Sequence, residues 1–174
     1  MLVAVIGLFI SALYKIYKFI SDGRHTIDEI DDLDVIHVLV EKNLDCYISL
    51  GIVHSMAHPL GALYDTPHGI ANAIILPTVM EYNAPETGEK YREIARAMGV
   101  QNVDAMSQDE YRKAAVDAVK KLSQDVGIPT TLKDIVKKED IPFLAQSAMD
   151  DACRPGNPKD PSLEDIIAIY NSLM

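Results

Sequence analysis

Three of the five histidines in this 174-residue chain lie within one short, mostly apolar stretch: His54, His58 and His68. Imidazole is the commonest metal-binding side chain and the usual proton carrier near neutral pH. His54 and His58 are four residues apart, so on a helix both lie on one face with their Cβ atoms roughly 6 Å apart. This spacing suits two ligands of one ion, or one ligand beside an acid–base group.

A turn must return the third histidine to that helix face. Thr66 is typical of a helix N-cap and Pro67 of a first helical residue, which places His68 in the first turn of a second helix. Three converging imidazoles satisfy a catalytic zinc, and an added carboxylate extends the choice to iron. Ser55 excludes the HExxH motif of zinc proteases. The other interpretation, three hydrogen-bonded core histidines, stays open.

The segments around the histidines have the patterns of helices, which predicts an all-α helical bundle. Capping-box pairs open three of them: Thr26 with Glu29, Ser107 with Glu110, and Ser162 with Asp165. Apolar stripes at helical spacing follow, and they predict core faces. They comprise Tyr91, Ile94, Ala95 and Met98; Tyr111, Ala115, Ala118, Val119, Leu122 and Val126; and Ile166, Ile169, Tyr170 and Leu173. The stretch from Ile70 to Met80 is apolar nearly all round, as expected of a central helix.

Composition is that of a globular protein and limits the classes of partner. Hydrophobic residues make up 48% of the chain, and the net charge is −10 with a pI near 4.8, which argues against nucleic acid and anionic membrane surfaces. Cys46 and Cys153 are far apart and form no metal or redox spacing, so we expect free thiols in a cytoplasmic protein.

The N-terminal segment allows two interpretations. From Leu2 to Ile20 only Ser11, Lys15 and Lys18 are strongly polar. We expect a buried or partner-covered helix there. A membrane anchor remains the alternative, because the whole stretch just reaches the roughly 20 residues that a membrane span needs.

The histidine segment, HSMAHPLGALYDTPHGIANAIILPTVMEYN, resembles the metal-site segment of the iron-dependent (group III) alcohol dehydrogenases. Further along the chain, KYREIARAMGV, GIPTTL and GNPKDPSLEDIIAIY agree with that family. The resemblance extends from Gly51 to Met174 and implies that this part is the helical, metal-binding C-terminal domain. We therefore divide the chain into a divergent helical segment, residues 1–50, and an alcohol-dehydrogenase-like metal-binding domain, residues 51–174.

The resemblance also implies roles for individual residues. His54 and His68 match the family's metal ligands, for Fe(2+) or possibly Zn(2+), and His58 matches the histidine that relays protons beside the nicotinamide. Cys153 matches a cysteine that lines the substrate pocket in some members. A small buried hydrophobe is the other interpretation of Cys153.

Departures from the family are equally informative. The family's nucleotide-binding α/β domain has a Gly-rich phosphate loop, whereas Gly7 and Gly23 stand alone here. The family's other two metal ligands follow the pattern D-x-x-x-H, which this chain lacks. Asp34 and His37 come nearest, but they are three residues apart and receive no ligand role. The chain also has no evident means of holding NAD(P).

The function implied is metal-dependent, NAD(P)-linked interconversion of small primary alcohols and aldehydes by a fragment or a subunit of a split enzyme. NAD(P) would then bind only if another chain supplied the nucleotide-binding domain. We also expect a homo-oligomer. The alternatives are a folded but non-catalytic remnant and a membrane-anchored helical protein.

Overall fold

A computed structural model describes residues 51–174 as six α-helices joined by short loops and single turns of 3-10 helix. The helices are α1 (Ile52–Tyr64), α2 (His68–Asn83), α3 (Lys90–Ala97), α4 (Gln108–Asp125), α5 (Ile141–Met149) and α6 (Leu163–Ser172). The described part has no β-strand, so the predicted all-α fold is confirmed. No helix in residues 51–174 is long and apolar enough to cross a membrane.

Several predictions concern residues 1–50 and lie outside the described part of the chain. They are the capping box at Thr26, the apolar stretch from Leu2 to Ile20, and the nearest approach to the missing ligands at Asp34 and His37.

Helix α2 is the central helix, as its apolar sequence predicts. Its residues from Ala71 to Pro77 are all buried. It contributes to two core clusters. The first core cluster joins α1, α2, α5 and α6 with the loop residues Leu132 and Val136, and the second joins the C-terminal half of α2 to α3 and α4. One helix thus connects two packed groups.

The predicted core faces are largely confirmed. Tyr111, Ala115, Val119 and Leu122 of α4 are buried, as are Tyr91, Ile94 and Ala95 of α3 and the whole predicted face of α6. Met98 and Ala118 are only partly buried, and of the predicted residues Val126 is exposed, over 42% of its surface. Its placement in the core was wrong because α4 ends at Asp125 and the chain turns away at Gly127, whose φ of +77° suits glycine.

Both serine capping boxes within the described part are confirmed. The Ser107 hydroxyl accepts a hydrogen bond from the Glu110 N–H, and the Glu110 carboxylate accepts one from the Ser107 N–H. Ser162 and Asp165 make the same reciprocal pair at the start of α6. These caps satisfy backbone donors that a helix start otherwise leaves unpaired.

The predicted N-cap at Thr66 is wrong. Helix α2 begins at His68, and its N-cap is Pro67, whose ψ of 129° is not helical. Thr66 instead takes part in ending α1. Asp65 adopts a left-handed conformation with φ of 52°, and the Thr66 N–H donates to the carbonyl of Leu60. The Thr66 hydroxyl is buried and makes no hydrogen bond to α2.

Candidate functional site

Helix α1 presents two of the three histidines because its opposite face is anchored in the core. Ile52, Met56 and Leu60 are fully buried. The Tyr170 hydroxyl of α6 donates a 2.7 Å hydrogen bond to the Met56 carbonyl, which fixes the middle of α1. His54 is left half-buried and His58 exposed, with 43% of the His58 side chain open to solvent.

The three imidazole rings lie close together. The His54 and His68 ring centroids are 5.4 Å apart, as are those of His58 and His68, and those of His54 and His58 are 6.4 Å apart. The turn from Asp65 to Pro67 brings His68, the first residue of α2, over the face of α1. The structure therefore brings together all three histidines that the sequence singled out.

His54 has the electrostatics of a neutral imidazole. Burial, and then the neighbouring charges of His68 and His58, lower the pKa of His54 to about 4, with a partial offset from Asp151. At neutral pH the ring therefore carries a free lone pair. A neutral imidazole nitrogen is the form that binds a divalent metal.

Asp151 is a member of the site that the sequence analysis missed. It follows α5, and its Oδ2 lies 2.8 Å from His58 Nδ1. Its Oδ1 accepts a 2.8 Å hydrogen bond from the Cys153 N–H. Burial opposes ionisation of Asp151, but the hydrogen bonds from His58 and Cys153 outweigh it and keep the Asp151 pKa below its usual value. No local pattern predicts this contact, because 93 positions separate Asp151 from His58.

Cys153 lies beside His58 and Asp151, and its donor atom is within 4.8 Å of theirs. It is half-buried, and burial together with the hydrogen bond to Asp151 raises the pKa of its thiol to about 11. At neutral pH Cys153 is therefore a protonated thiol. It contributes a small, weakly polar surface next to Asp151 and His58. It is not a nucleophile, because the thiolate and not the thiol is the reactive form.

A pair of asparagines anchors the start of α1, and the sequence analysis missed both. Asn157 and the buried Asn83 exchange two side-chain hydrogen bonds of 3.0 and 2.8 Å. The Ile52 N–H, first in α1, donates to Asn157 Oδ1 at 3.4 Å. Gly51 is needed here, since a Cβ at that position would lie 2.7 Å from Asn157 Oδ1. The histidine helix thus starts against a loop that follows more than a hundred residues later.

The donor set around His54 and His68 is incomplete within residues 51–174. No group of three or more clustered metal-binding side chains in this part includes either histidine. The two imidazoles suit a divalent ion, and the remaining coordination positions would have to be filled by water or by groups outside the described residues.

Comparison with known proteins agrees with this arrangement. Residues 46–174 match the family described as Fe-containing alcohol dehydrogenase family, C-terminal. The chain is 62% identical over 126 residues to lactaldehyde reductase of Escherichia coli K12, a match that covers 72% of this chain and 33% of that protein. It is 43% identical over 123 residues to 1,3-propanediol dehydrogenase of Klebsiella pneumoniae, covering 70% and 32% of the two chains.

The folds agree as well. An alcohol dehydrogenase from Oenococcus oeni superposes with a TM-score of 0.68 at 42% identity, covering 71% of this chain and 32% of that one. The chain spans about a third of the length of the relatives that it matches. The resemblance seen in the histidine segment is confirmed, and the chain belongs to the Fe-containing alcohol dehydrogenase family, whose C-terminal part it matches.

Proposed function

We propose that this chain is the metal-binding part of an iron-dependent, NAD(P)-linked oxidoreductase that interconverts small primary alcohols and aldehydes in the cytoplasm. Residues 51–174 form the metal-binding domain, and residues 1–50 are a separate divergent segment. The observation that carries the proposal is the convergence of His54, His58 and His68 in a member of this family. Two relatives, lactaldehyde reductase and 1,3-propanediol dehydrogenase, are named for substrates of this class.

His54 and His68 are the proposed metal ligands. Their ring centroids are 5.4 Å apart, and the lowered pKa of His54 keeps that imidazole neutral at the pH of the cytoplasm. A bound Fe(2+) or Zn(2+) would supply Lewis-acid polarisation of the substrate oxygen. Because only two ligands come from the described residues, we expect weak retention of Fe(2+) by this chain alone.

His58 is the proposed proton relay. An ionised carboxylate is an acceptor only, so His58 Nδ1 carries the proton and donates it in a hydrogen bond to Asp151 Oδ2. The neutral tautomer that results leaves Nε2 unprotonated and able to accept the proton of an alcohol hydroxyl. The exposure of the ring provides a path onward to water. Cys153 lines the substrate side of the site beside His58 and, as a neutral thiol, contributes shape rather than charge.

NAD(P) would bind through another chain. Hydride transfer needs the nicotinamide and substrate carbons at about 3–3.5 Å in aligned geometry. The sequence contains no Gly-rich turn of the kind that grips a pyrophosphate at a helix start. The exposed rings of His58 and His68 are where a nucleotide-binding subunit would complete the site.

Reconstitution tests this proposal. The purified chain with Fe(2+) should not oxidise 1,2-propanediol or 1,3-propanediol with NAD or NADP. Addition of the nucleotide-binding domain of a related enzyme should restore turnover. His54→Ala should abolish it, and His25→Ala, outside the matched residues, should leave it unchanged.

Three outcomes would contradict parts of the proposal. Turnover by the isolated chain would show that it holds NAD(P) itself. Reconstituted complexes without activity, despite demonstrated association and metal loading, would support the non-catalytic remnant. Iron that survives chelator would also show that further ligands are present, and Asp34 and His37 would then be the first to test.

A further inference from the structure

A second cluster of metal-binding side chains lies beside the three histidines. His58, Asp151 and Cys153 each offer one donor atom, and these atoms all lie within 4.8 Å of one another. In residues 51–174 this is a set of nitrogen, oxygen and sulfur donors that includes neither His54 nor His68. It joins α1 to the loop that follows α5, and neither helix pairing nor core packing requires its composition.

We infer that His58, Asp151 and Cys153 form a binding site for Zn(2+), separate from the metal position at His54 and His68. Three protein ligands with one open position for water are the usual set of an accessible zinc site. Thiolate favours zinc over magnesium or calcium, which prefer oxygen. The inference does not depend on the proposed function, since it concerns only this chain's own side chains.

Charge favours the same ion. A carboxylate and a thiolate together neutralise a divalent cation, and the imidazole adds a neutral donor. The half-buried position of Asp151 and Cys153 strengthens this attraction relative to open water. The 43% exposure of the His58 side chain leaves a route for the ion and a position for its water.

The loop that carries two of the ligands is held in place before any ion binds. The Cys153 N–H donates to Asp151 Oδ1 at 2.8 Å. Arg154 Nε donates to the Met149 carbonyl at 2.9 Å, which ties the loop to the end of α5. Only the donor atoms therefore need to move, and the backbone can keep its path.

Proton balance follows from the hydrogen bonds. The Cys153 thiol is protonated, so zinc binding at its sulfur releases that proton to solvent. The His58 proton moves from Nδ1 to Nε2 as the Nδ1 lone pair turns to the ion. Occupation therefore blocks the nitrogen that the proton relay leaves free, and zinc at this site would inhibit an enzyme that uses His58.

Cobalt titration of the reduced, metal-free 174-residue chain tests the site, because Co(2+) bound to thiolate gives a near-ultraviolet charge-transfer band. We expect this band in the wild-type chain and its loss when Zn(2+) is added. Cys153→Ser should remove it. Cys46→Ser, the matched cysteine control, and His54→Ala, the histidine one turn away, should both keep it.

A measurement on the unmutated chain guards against misfolding of the variants: saturating Zn(2+) should slow alkylation of Cys153 by at least about tenfold, as mapped by mass spectrometry. In a further variant, Asp151→Asn should weaken zinc affinity by about 10–100-fold. A wild-type chain without the thiolate band, a band that depends on Cys46, or an alkylation rate that zinc leaves unchanged would overturn the inference. If His54→Ala loses the reconstituted activity but still binds zinc, that result supports the proposed function and leaves this inference intact.

Discussion

The helices that carry the histidines, α1 and α2, begin differently from α4 and α6. α4 and α6 each open with a serine capping box, whose partners lie three residues apart. α1 and α2 have no side-chain cap from their own N-cap residues, Gly51 and Pro67. The first N–H of α1 is instead satisfied by Asn157, 105 positions away. A local side chain therefore caps α4 and α6, whereas the start of α1 depends on a residue distant in the chain.

Four buried side-chain atoms in the described residues lack a hydrogen-bond partner. They are Thr66 Oγ1 and Asn72 Oδ1 at the start of α2, Arg92 Nε of α3 and Arg112 Nε of α4. An unpaired buried polar atom carries a desolvation penalty. Such atoms therefore occur in α3 and α4 as well as at the histidine end of the molecule.

The largest effect should come from the distant anchor of α1. Asn157→Ala removes the acceptor of the Ile52 N–H and leaves the buried Asn83 amide unpaired, so we expect the free energy of unfolding to fall by about 2 kcal/mol. Denaturant unfolding measures it. Asn171→Ala, an exposed asparagine on α6, is the matched control and should cost under about 0.5 kcal/mol. Equal, small losses in both variants would show that the anchor is not stabilising.

The second-largest effect should be a loss of stability in acid, caused by His54. His54 binds a proton more readily in the unfolded chain, with a pKa near 6.5, than in the folded chain, with a pKa of about 4. The free energy of unfolding therefore falls as pH drops from 6.5 towards 4 and is fully retained above 6.5. For the metal-free protein we expect a His54 contribution of about 1.5 kcal/mol, after discounting for solvent screening.

His54→Asn provides the check on this acid effect. Thermal unfolding of wild type and variant should converge as pH falls, with a shallower pH dependence in the variant. Asn171→Ala, whose side chain donates only to the Ile167 carbonyl and to no titratable group, should keep the wild-type slope. Identical slopes in wild type and His54→Asn would show that burial of His54 does not disfavour its charged form.

Loss of a local cap should cost less than loss of the distant anchor. Ser107→Ala removes the hydroxyl that accepts from the Glu110 N–H, and we expect a loss of about 1 kcal/mol in the free energy of unfolding. Ser107→Asp should restore most of it, since aspartate also caps. Zinc and iron affinity should stay at wild-type values, because α4 does not contribute to the site. A change in metal affinity would show that the start of α4 influences the metal sites.

Sequence could predict the features that depend on neighbours along the chain. The capping boxes, the apolar stripes and the adjacency of His54, His58 and His68 all follow from spacing within one helix or one turn. The pairing of Asp151 with His58 and of Asn157 with Ile52 could not be predicted. Each joins residues about a hundred positions apart, and only the packing of α1 against α5 and the following loop brings them together.

The smallest effect concerns Thr66, where a local pattern gave a wrong prediction. Its hydroxyl is buried and lacks a hydrogen-bond partner, so Thr66→Val should leave the free energy of unfolding unchanged or raise it by up to about 1 kcal/mol. Thr87 is the matched control: it is equally buried, but its hydroxyl donates a 2.8 Å hydrogen bond to the Ala84 carbonyl. Thr87→Val should therefore cost about 1 kcal/mol. If Thr66→Val costs as much, its hydroxyl has a partner after all, and α2 starts with the cap that the sequence predicts.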